Sequence, residues 1–213
     1  MGILCPILMM IASYLIGSIP FGYLIGKWRG VDIRNKGSHN IGATNALRTL
    51  GTKWGFLVYL LDALKGACFV LISTYAFDYR DPFFVLQIHP LVYGMLAILG
   101  HLFPVYLKFK GGKGISCLSG VIIAYSWPLA LFSFVIFVIV VTTTRYVSLA
   151  SIITSISLIV GYFILDPLIP GFHDNFFLAT LFIANGLVIF KHRSNIVRLV
   201  QGNENKISFH KKK

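Results

Sequence analysis

The sequence predicts an all-α, polytopic integral membrane helical bundle, and three observations carry that prediction. Apolar runs recur that reach the roughly 20 residues needed to cross a ~30 Å hydrocarbon core. Charged residues make up 12% of the 213-residue chain, where a soluble domain carries about 25%. The charges that are present lie in short clusters between the apolar runs.

The first run, residues 3–25, reads as a retained span. No basic residue precedes it and no small-x-small cleavage site follows, so it lacks the marks of a signal peptide. It carries its own interruption, Gly17-Ser18-Ile19-Pro20-Phe21-Gly22. Further spans follow at 55–77, 83–107, 147–165 and 176–190. The stretch 115–144 would be ~45 Å long as one helix, too long for one upright crossing and short for two full ones. Trp127-Pro128 near its middle is the natural turning point, because Pro interrupts a helix and Trp favours the membrane interface.

Charge orients these spans. Of 19 Lys and Arg residues, six fall in 27–53, three in 108–113 and seven in 191–213. Residues 78–81 and 166–174 hold four of the seven acidic residues and one basic one. The positive-inside bias puts the three basic segments in the cytoplasm and the two acidic ones outside. Parity then requires 115–144 to cross twice or not at all. Two short helices meeting at Trp127-Pro128 give seven crossings, with the N-terminus outside and the C-terminus cytoplasmic. Five crossings with a re-entrant 115–144 is the alternative. The chain reads as a single membrane-embedded domain, 1–213, whose basic tail at 203–213 is either disordered or laid on anionic lipid.

The net charge of +12 therefore reflects topology, and nucleic acid is not an expected partner. A basic cytoplasmic face attracts anionic lipids and phosphorylated metabolites. The cysteines, Cys5, Cys68 and Cys117, have no paired spacing, which argues against a disulfide framework or a zinc site.

Three polar segments could do chemistry. The first spans Gly30 to Thr49, where Gly37 and Gly42 allow close backbone approach. Ser38, Asn40, Thr44 and Asn45 can bond orphan amides or phosphate oxygens. A short helix beginning near Ala43 would aim its positive N-terminal end at an anion. An ordinary capped loop explains the same residues equally well. The second, Lys108-Phe109-Lys110-Gly111-Gly112-Lys113-Gly114-Ile115-Ser116, combines cations with glycines and suits a backbone nest for phosphate; a basic topology anchor is the alternative, but an anchor does not need three glycines. It lacks the first glycine of a Walker A loop, which disfavours a nucleotide hydrolase. The third contains His192, Arg193, Asn195 and Arg198 at one-turn spacing, where a snorkelling exit helix is the plainer explanation.

Inside the second span, Asp62 and Lys65 are placed to pair on one helix face, a structural role that positions the first loop. His101, between Gly100 and Pro104, is either a satisfied polar residue or a substrate contact; His39, His89, His173 and His210 have no comparable context. Asp32 and Glu204 are the only acids in the basic segments, so no metal site is expected. No histidine has an aspartate five residues later, as the His-x-x-x-x-Asp acyltransferases do. Cys117 has no adjacent histidine to make it a nucleophile.

Together these segments resemble the bacterial acyl-phosphate-dependent glycerol-3-phosphate acyltransferases of the PlsY type. The resemblance runs through Gly17–Gly22, Asp32-Ile33-Arg34, Gly37–Asn45 with Arg48, and Asp62-Ala63-Leu64-Lys65-Gly66. It continues through Gly100–Pro104 with Lys108–Gly114, Arg145–Ser151, and His192–Leu199. Two positions depart: His39 stands where the family has Gly, and Ile115-Ser116-Cys117 where it has Val-Ala-Thr.

The resemblance implies transfer of an acyl chain from acyl phosphate to glycerol 3-phosphate, giving lysophosphatidate and phosphate, at the cytoplasmic face of a bacterial inner membrane. It implies no cofactor. Acyl phosphate would rest on Gly111, Gly112, Lys113 and Gly114, with Ala43, Thr44 and Asn45 completing the cradle; Asn40, Lys110, Ser116, His101 and Arg193 are further substrate-binding candidates. Glycerol 3-phosphate would be gripped by Ser38, Arg48, Lys108 and His192, with Asn195 orienting its alcohol end. The acyl chain would stay in the membrane lipid, and a phosphate oxygen of the donor would accept the attacking hydroxyl's proton, with His192 or His101 as base the competing scheme. A transporter for phosphate esters is the competing class, but its polar sites belong near the midplane and between internal repeats, and the motifs here gather at one face without a repeat. A metal-dependent head-group transferase would need a carboxylate-rich helix that is absent.

Overall fold

The computed structural model describes residues 3–76 and 87–207. The acidic segment 78–81, the beginning of the span expected from residue 83, and the tail end 208–213 lie outside the described residues. Among the described residues the secondary structure is entirely helical. Four helices are long and apolar enough to cross a membrane, and up to six crossings result if each of two bent pairs is one span. The chain divides into two compact units, 1–125 and 126–213.

The first unit opens with α1 (Leu4–Gly17) and α2 (Phe21–Trp28), the expected first span, bent by 44°. The break falls at Ser18–Pro20, where Pro20 leaves helical geometry and supplies no backbone donor. A 3₁₀ turn at Ile33–Asn35 and α3 (Ala43–Leu50) make up the first polar loop. The long α4 (Thr52–Leu71) runs into a π-helical turn at Ile72–Ala76. Next come α5 (Pro90–Leu102), a 3₁₀ turn at Val105–Leu107, and α6 (Ile115–Tyr125). Helix α4 is the hub of this unit, packing on α1, α2, α3, α5 and α6.

Contact with α6 is close because glycines face it from both sides. A Cβ on Gly66 would strike the carbonyl of Cys117, and one on Gly120 would strike the carbonyl of Ala63. Small residues let membrane helices approach backbone to backbone, where dispersion replaces the missing hydrophobic drive. Cys117, one of the two departures, is thereby buried in the α4–α6 seam. Its neighbour Ser116 uses its carbonyl to accept a bond from the Ser119 hydroxyl at 2.8 Å.

The second unit contains α7 (Trp127–Thr144), α8 (Val147–Leu165), α9 (Asn175–Lys191) and α10 (Arg193–Val200). The stretch 115–144 is indeed broken at Ser126, just before Trp127-Pro128. The two pieces are unequal, however: 11 residues in α6 and 18 in α7, or about 16 and 27 Å of helix. Arg145 takes a left-handed conformation between α7 and α8, with φ 64°. Helices α8 and α9 are joined by buried polar contacts: the Ser155 hydroxyl donates to Asn185. Near the other end the Tyr162 hydroxyl donates to the Asp174 carbonyl at 2.9 Å and accepts from the Asp174 amide at 2.8 Å. Asp174 in turn caps α9, accepting from the amides of Phe176 at 2.8 Å and Phe177 at 3.0 Å. Such caps satisfy helix-end donors that lipid cannot.

Placing leucine at Gly66 or Gly120 should lower the Tm of the detergent-solubilised protein by roughly 2–10 °C, because the clash is with backbone and cannot be relieved by rotation. Gly186→Ala, where an added Cβ meets nothing within 4 Å, should leave Tm unchanged or slightly raised.

Candidate active site

The first polar loop is organised by one buried side chain. The Asn45 amide group donates to the carbonyls of Ile33 at 2.8 Å, Lys36 at 3.1 Å and Asn40 at 2.8 Å. Its Oδ1 accepts from the Ser38 amide at 2.8 Å. Asn45 therefore holds the loop closed, and its polar atoms are engaged by backbone. Asn40 makes a local turn, its Oδ1 accepting from the Gly42 amide at 2.9 Å in the manner of an Asx-turn. Helix α3 does begin at Ala43, with the Gly42 carbonyl receiving the amides of Asn45 and Ala46 at 3.1 Å each. Ala43 and Thr44 thus occupy the N-terminal turn where an anion is stabilised by helix amides. Ser38 is half-buried, and its amide, not its hydroxyl, supplies its bond to Asn45. Arg48 lies one turn beyond on α3.

His39 adopts φ 57°, a left-handed conformation that a residue with a Cβ takes at a cost of about 1 kcal/mol or more. This is the position where the resemblance would put glycine. The histidine keeps the same turn through a second bond, its Nδ1 donating to the Arg34 carbonyl at 2.9 Å. Arg34 forks onto Asp32 with Nε–Oδ1 at 2.9 Å and Nη2–Oδ2 at 2.6 Å. Hydrogen bonds from that guanidinium hold the Asp32 carboxyl down to about 2. Because the folded value is depressed, this clamp contributes fully above the ordinary value of about 3.8 and is lost as pH falls through about 2. The Asp32–Arg34 clamp is thus unchanged across the physiological pH range.

The glycine-rich loop is held from below by α5. Lys108 and Phe109 both take positive φ, 51° and 61°, and the Phe109 amide turns back to the Pro104 carbonyl at 2.9 Å. The Gly112 amide donates to the His101 carbonyl at 3.1 Å. A Cβ on Gly112 would meet the His101 ring, and one on Gly111 would meet the carbonyls of His101 and Leu102. Only glycine lets the chain lie this close. The loop ends at Gly114, φ 91°, whose carbonyl accepts the Leu118 amide at 2.7 Å and opens α6. Lys110 is exposed, Lys113 and Ser116 are half-buried, and the α6 N-terminus follows them directly.

Beneath this loop lies a buried charge cluster. Asp62 is 1% exposed, and Lys65 and His101 are each 4% exposed. Lys65 Nζ is 2.7 Å from Asp62 Oδ1, and His101 Nδ1 is 3.5 Å from the same oxygen. Lys65 Nζ also donates to the Ile19 carbonyl at 2.7 Å, one of the groups exposed by the α1–α2 break. These side chains line a narrow crevice with Ser18, Pro20, Phe21, Ile41 and Pro104. The His101 ring turns its Nδ1 toward Asp62 and lies under Gly112.

In the second unit, His192 is buried at the α9–α10 junction, where the helices bend by 58°. Its Nδ1 donates to the Val188 carbonyl at 2.8 Å, which fixes that nitrogen as the protonated one. Asn195 follows on α10 and is also buried; its amide donates to Glu204 Oε1 at 3.1 Å. Glu204, 7% exposed, accepts from Arg198 Nε at 2.8 Å through its other oxygen. Residues 203–207 of the predicted tail are tied down in this way, and the Ile207 amide donates to the Arg145 carbonyl at 2.8 Å. Arg193 is exposed and turned onto its own helix end, donating to the Phe190 carbonyl at 3.2 Å with its guanidinium 4.7 Å from the Phe190 ring.

Sequence reasoning missed Glu204 as the partner of Asn195 and Asp62 as the partner of His101. The signal for Glu204 was its rarity, an acid inside a basic segment next to Arg198 and Asn195. Among the described residues, no three His, Cys, Asp or Glu side chains are grouped as metal ligands.

Fold and site define an integral membrane helical protein with a glycine-rich, cationic loop and a short-helix N-terminus suited to anionic groups. Comparison with known proteins narrows this class. The profile of the glycerol-3-phosphate acyltransferase family matches residues 7–202, and the chain belongs to that family. It is 40% identical over 206 residues to glycerol-3-phosphate acyltransferase 2 of Bacillus cereus (strain ATCC 10987 / NRS 248), covering 96% of each chain. It is 42% identical over 198 residues to the glycerol-3-phosphate acyltransferase of Aquifex aeolicus, covering 93% of this chain and 97% of that one. A crystal structure of PlsY, an integral membrane glycerol 3-phosphate acyltransferase in its glycerol 3-phosphate form, is 40% identical, with a TM-score of 0.84 over 95% of each chain. The lysophosphatidic acid form matches with a TM-score of 0.81.

Asp62→Asn should destabilise the protein by about 3–5 kcal/mol, since it strands the Lys65 ammonium in the interior. Asp62→Asn combined with Lys65→Met should recover most of that loss. Thermal unfolding of the three proteins in one detergent checks both outcomes.

Proposed function

We propose that this enzyme takes its acyl group from an acyl phosphate and transfers it to glycerol 3-phosphate, releasing lysophosphatidate and inorganic phosphate. The observation that carries the reading is the glycine loop closed onto the His101 carbonyl and running directly into the α6 N-terminus. The Gly112 amide is engaged by that carbonyl, and the orphan amides of the first α6 turn are the donors that suit the phosphate of a small anionic donor. The acceptor and product are supported by the two forms in which the related PlsY has been crystallised, with glycerol 3-phosphate and with lysophosphatidic acid.

In this reading Gly111, Gly112, Lys113 and Gly114 cradle the donor phosphate, aided by Lys110, Ser116 and the α3 amides at Ala43 and Thr44. Ser38, Arg48 and Lys108 bind the acceptor phosphate, and His192 and Asn195 engage the acceptor's glycerol portion. Asn45, Asn40 and His101 act by holding the two loops in shape. The acceptor's primary hydroxyl attacks the acyl carbon, the bond from that carbon to the phosphate oxygen breaks, and the departing phosphate takes the hydroxyl proton. A mixed anhydride has a good leaving group, so proximity and charge neutralisation supply much of the catalysis. No cofactor or metal ion enters this scheme. The chain acts as one acyltransferase domain with seven crossings, its N-terminus outside and its basic loops and C-terminus in the cytoplasm of a bacterium.

The decisive experiment incubates purified protein with palmitoyl phosphate, with and without glycerol 3-phosphate, and measures phosphate release and lysophosphatidate formation. Release that depends on glycerol 3-phosphate is expected; acyl transfer from acyl-CoA but not from palmitoyl phosphate would overturn the donor assignment. His192→Gln should retain kcat within about 10²-fold, because the donor phosphate is the proton acceptor. A loss toward ~10⁴-fold would transfer that role to the imidazole.

A further inference from the structure

The cations at the α2 end and the α4 start are arranged around aromatic rings, and none of the acyltransferase roles uses them. Trp28 closes α2 and Trp54 lies in the first turn of α4. Their rings meet edge to face, with centroids 5.2 Å apart and planes at 79°. Arg29 places its guanidinium 5.1 Å from the Trp54 ring centre, and Lys53 its ammonium at 5.5 Å. Lys27 lies 5.7 Å from the Tyr23 ring centre and Arg34 4.3 Å from it.

Arg34 is neutralised by Asp32. Lys27, Arg29 and Lys53 have no carboxylate within ion-pair distance among the described residues, and all three are exposed. Trp28 is 73% exposed. An indole pair at the ends of two apolar helices lies at the headgroup level of a bilayer, since tryptophan partitions to that layer. At that depth the ring faces hold the three cations in place and direct their remaining charge toward the lipid headgroups.

We propose that this aromatic and cationic cluster is a docking surface for the headgroup of an anionic phospholipid. Its phosphate meets Lys27, Arg29 and Lys53 while its glycerol and upper acyl carbons lie against Trp28. A zwitterionic lipid brings its own cationic amine and gains less from three cations. Trp127 supplies a control within the same chain: it is 71% exposed, yet among the described residues its ring makes no cation–π contact.

The test uses tryptophan quenching by brominated lipids in vesicles of phosphatidylcholine containing a fixed fraction of brominated phosphatidylglycerol or brominated phosphatidylcholine. The full-length Trp127→Phe protein reports on Trp28 and Trp54, and the Trp28→Phe/Trp54→Phe protein reports on Trp127. Brominated phosphatidylglycerol should quench the first protein as though enriched roughly threefold to tenfold around it, and the second protein without preference. Lys27→Gln/Arg29→Gln/Lys53→Gln in the Trp127→Phe background should abolish the preference, whereas Arg29→Lys should keep it. Equal quenching of the first protein by both lipids, or a preference that survives removal of the three charges, would overturn the proposal. So would reversal of the preference by millimolar inorganic phosphate at constant ionic strength, which would make the occupant a free anion.

Discussion

One buried carboxylate, Asp62, ties together the parts of the first unit that surround its polar loops. A lone charge in an apolar helix is costly, and the structure meets that cost with two partners from opposite directions. Lys65 comes from the same helix and carries the charge on to the Ile19 carbonyl at the α1–α2 break. His101 comes from α5 and supports the glycine loop through its ring and its carbonyl. The break in α1–α2, the hub helix and the glycine-rich loop are thus fixed by a single electrostatic junction. Moving any one of them would leave a charge or a carbonyl buried without its partner.

The two polar loops of that unit reach their shapes by different means. The 108–114 loop relies on missing side chains: glycine at 111 lets backbone lie on backbone, and glycine at 112 lets it lie on the His101 ring. The 30–49 loop relies on a side chain, because Asn45 gathers three carbonyls and one amide that would otherwise point outward. Both leave a helix N-terminus at the loop's end, α6 in one case and α3 in the other. Rigid amide donors are an economical way to receive an anion, since they need no reorganisation when charge develops.

Much of this was legible in the sequence, and the readable part follows the physics of each signal. The membrane class came from apolar run length, and the break before Trp127-Pro128 and the α3 start at Ala43 came from residues with strong local preferences. The Asp62–Lys65 pair was readable because i,i+3 spacing fixes proximity within one helix. What stayed hidden was contact across the chain. Asp62 to His101 joins positions 39 residues apart, and Glu204 reaches Asn195 only because the chain turns back after α10. Asn45 illustrates a different limit. Its residue type announced that it would bond something, but an amide binds a phosphate oxygen or a carbonyl with equal chemistry, and only the fold decides which.

The departures from the family pattern show how the backbone tolerates substitution here. At position 39 the left-handed turn persists although glycine is gone, because the imidazole adds a bond to the Arg34 carbonyl that offsets part of the conformational cost. At position 117 a thiol replaces a hydroxyl, and the site is the α4–α6 seam, where a small side chain that packs against Gly66 is what the geometry demands. Neither change removes a backbone amide from the loops. Loops shaped by backbone contacts and helix ends depend on where the chain goes more than on which side chain marks the path, and they can therefore keep their shape while the residues along them vary.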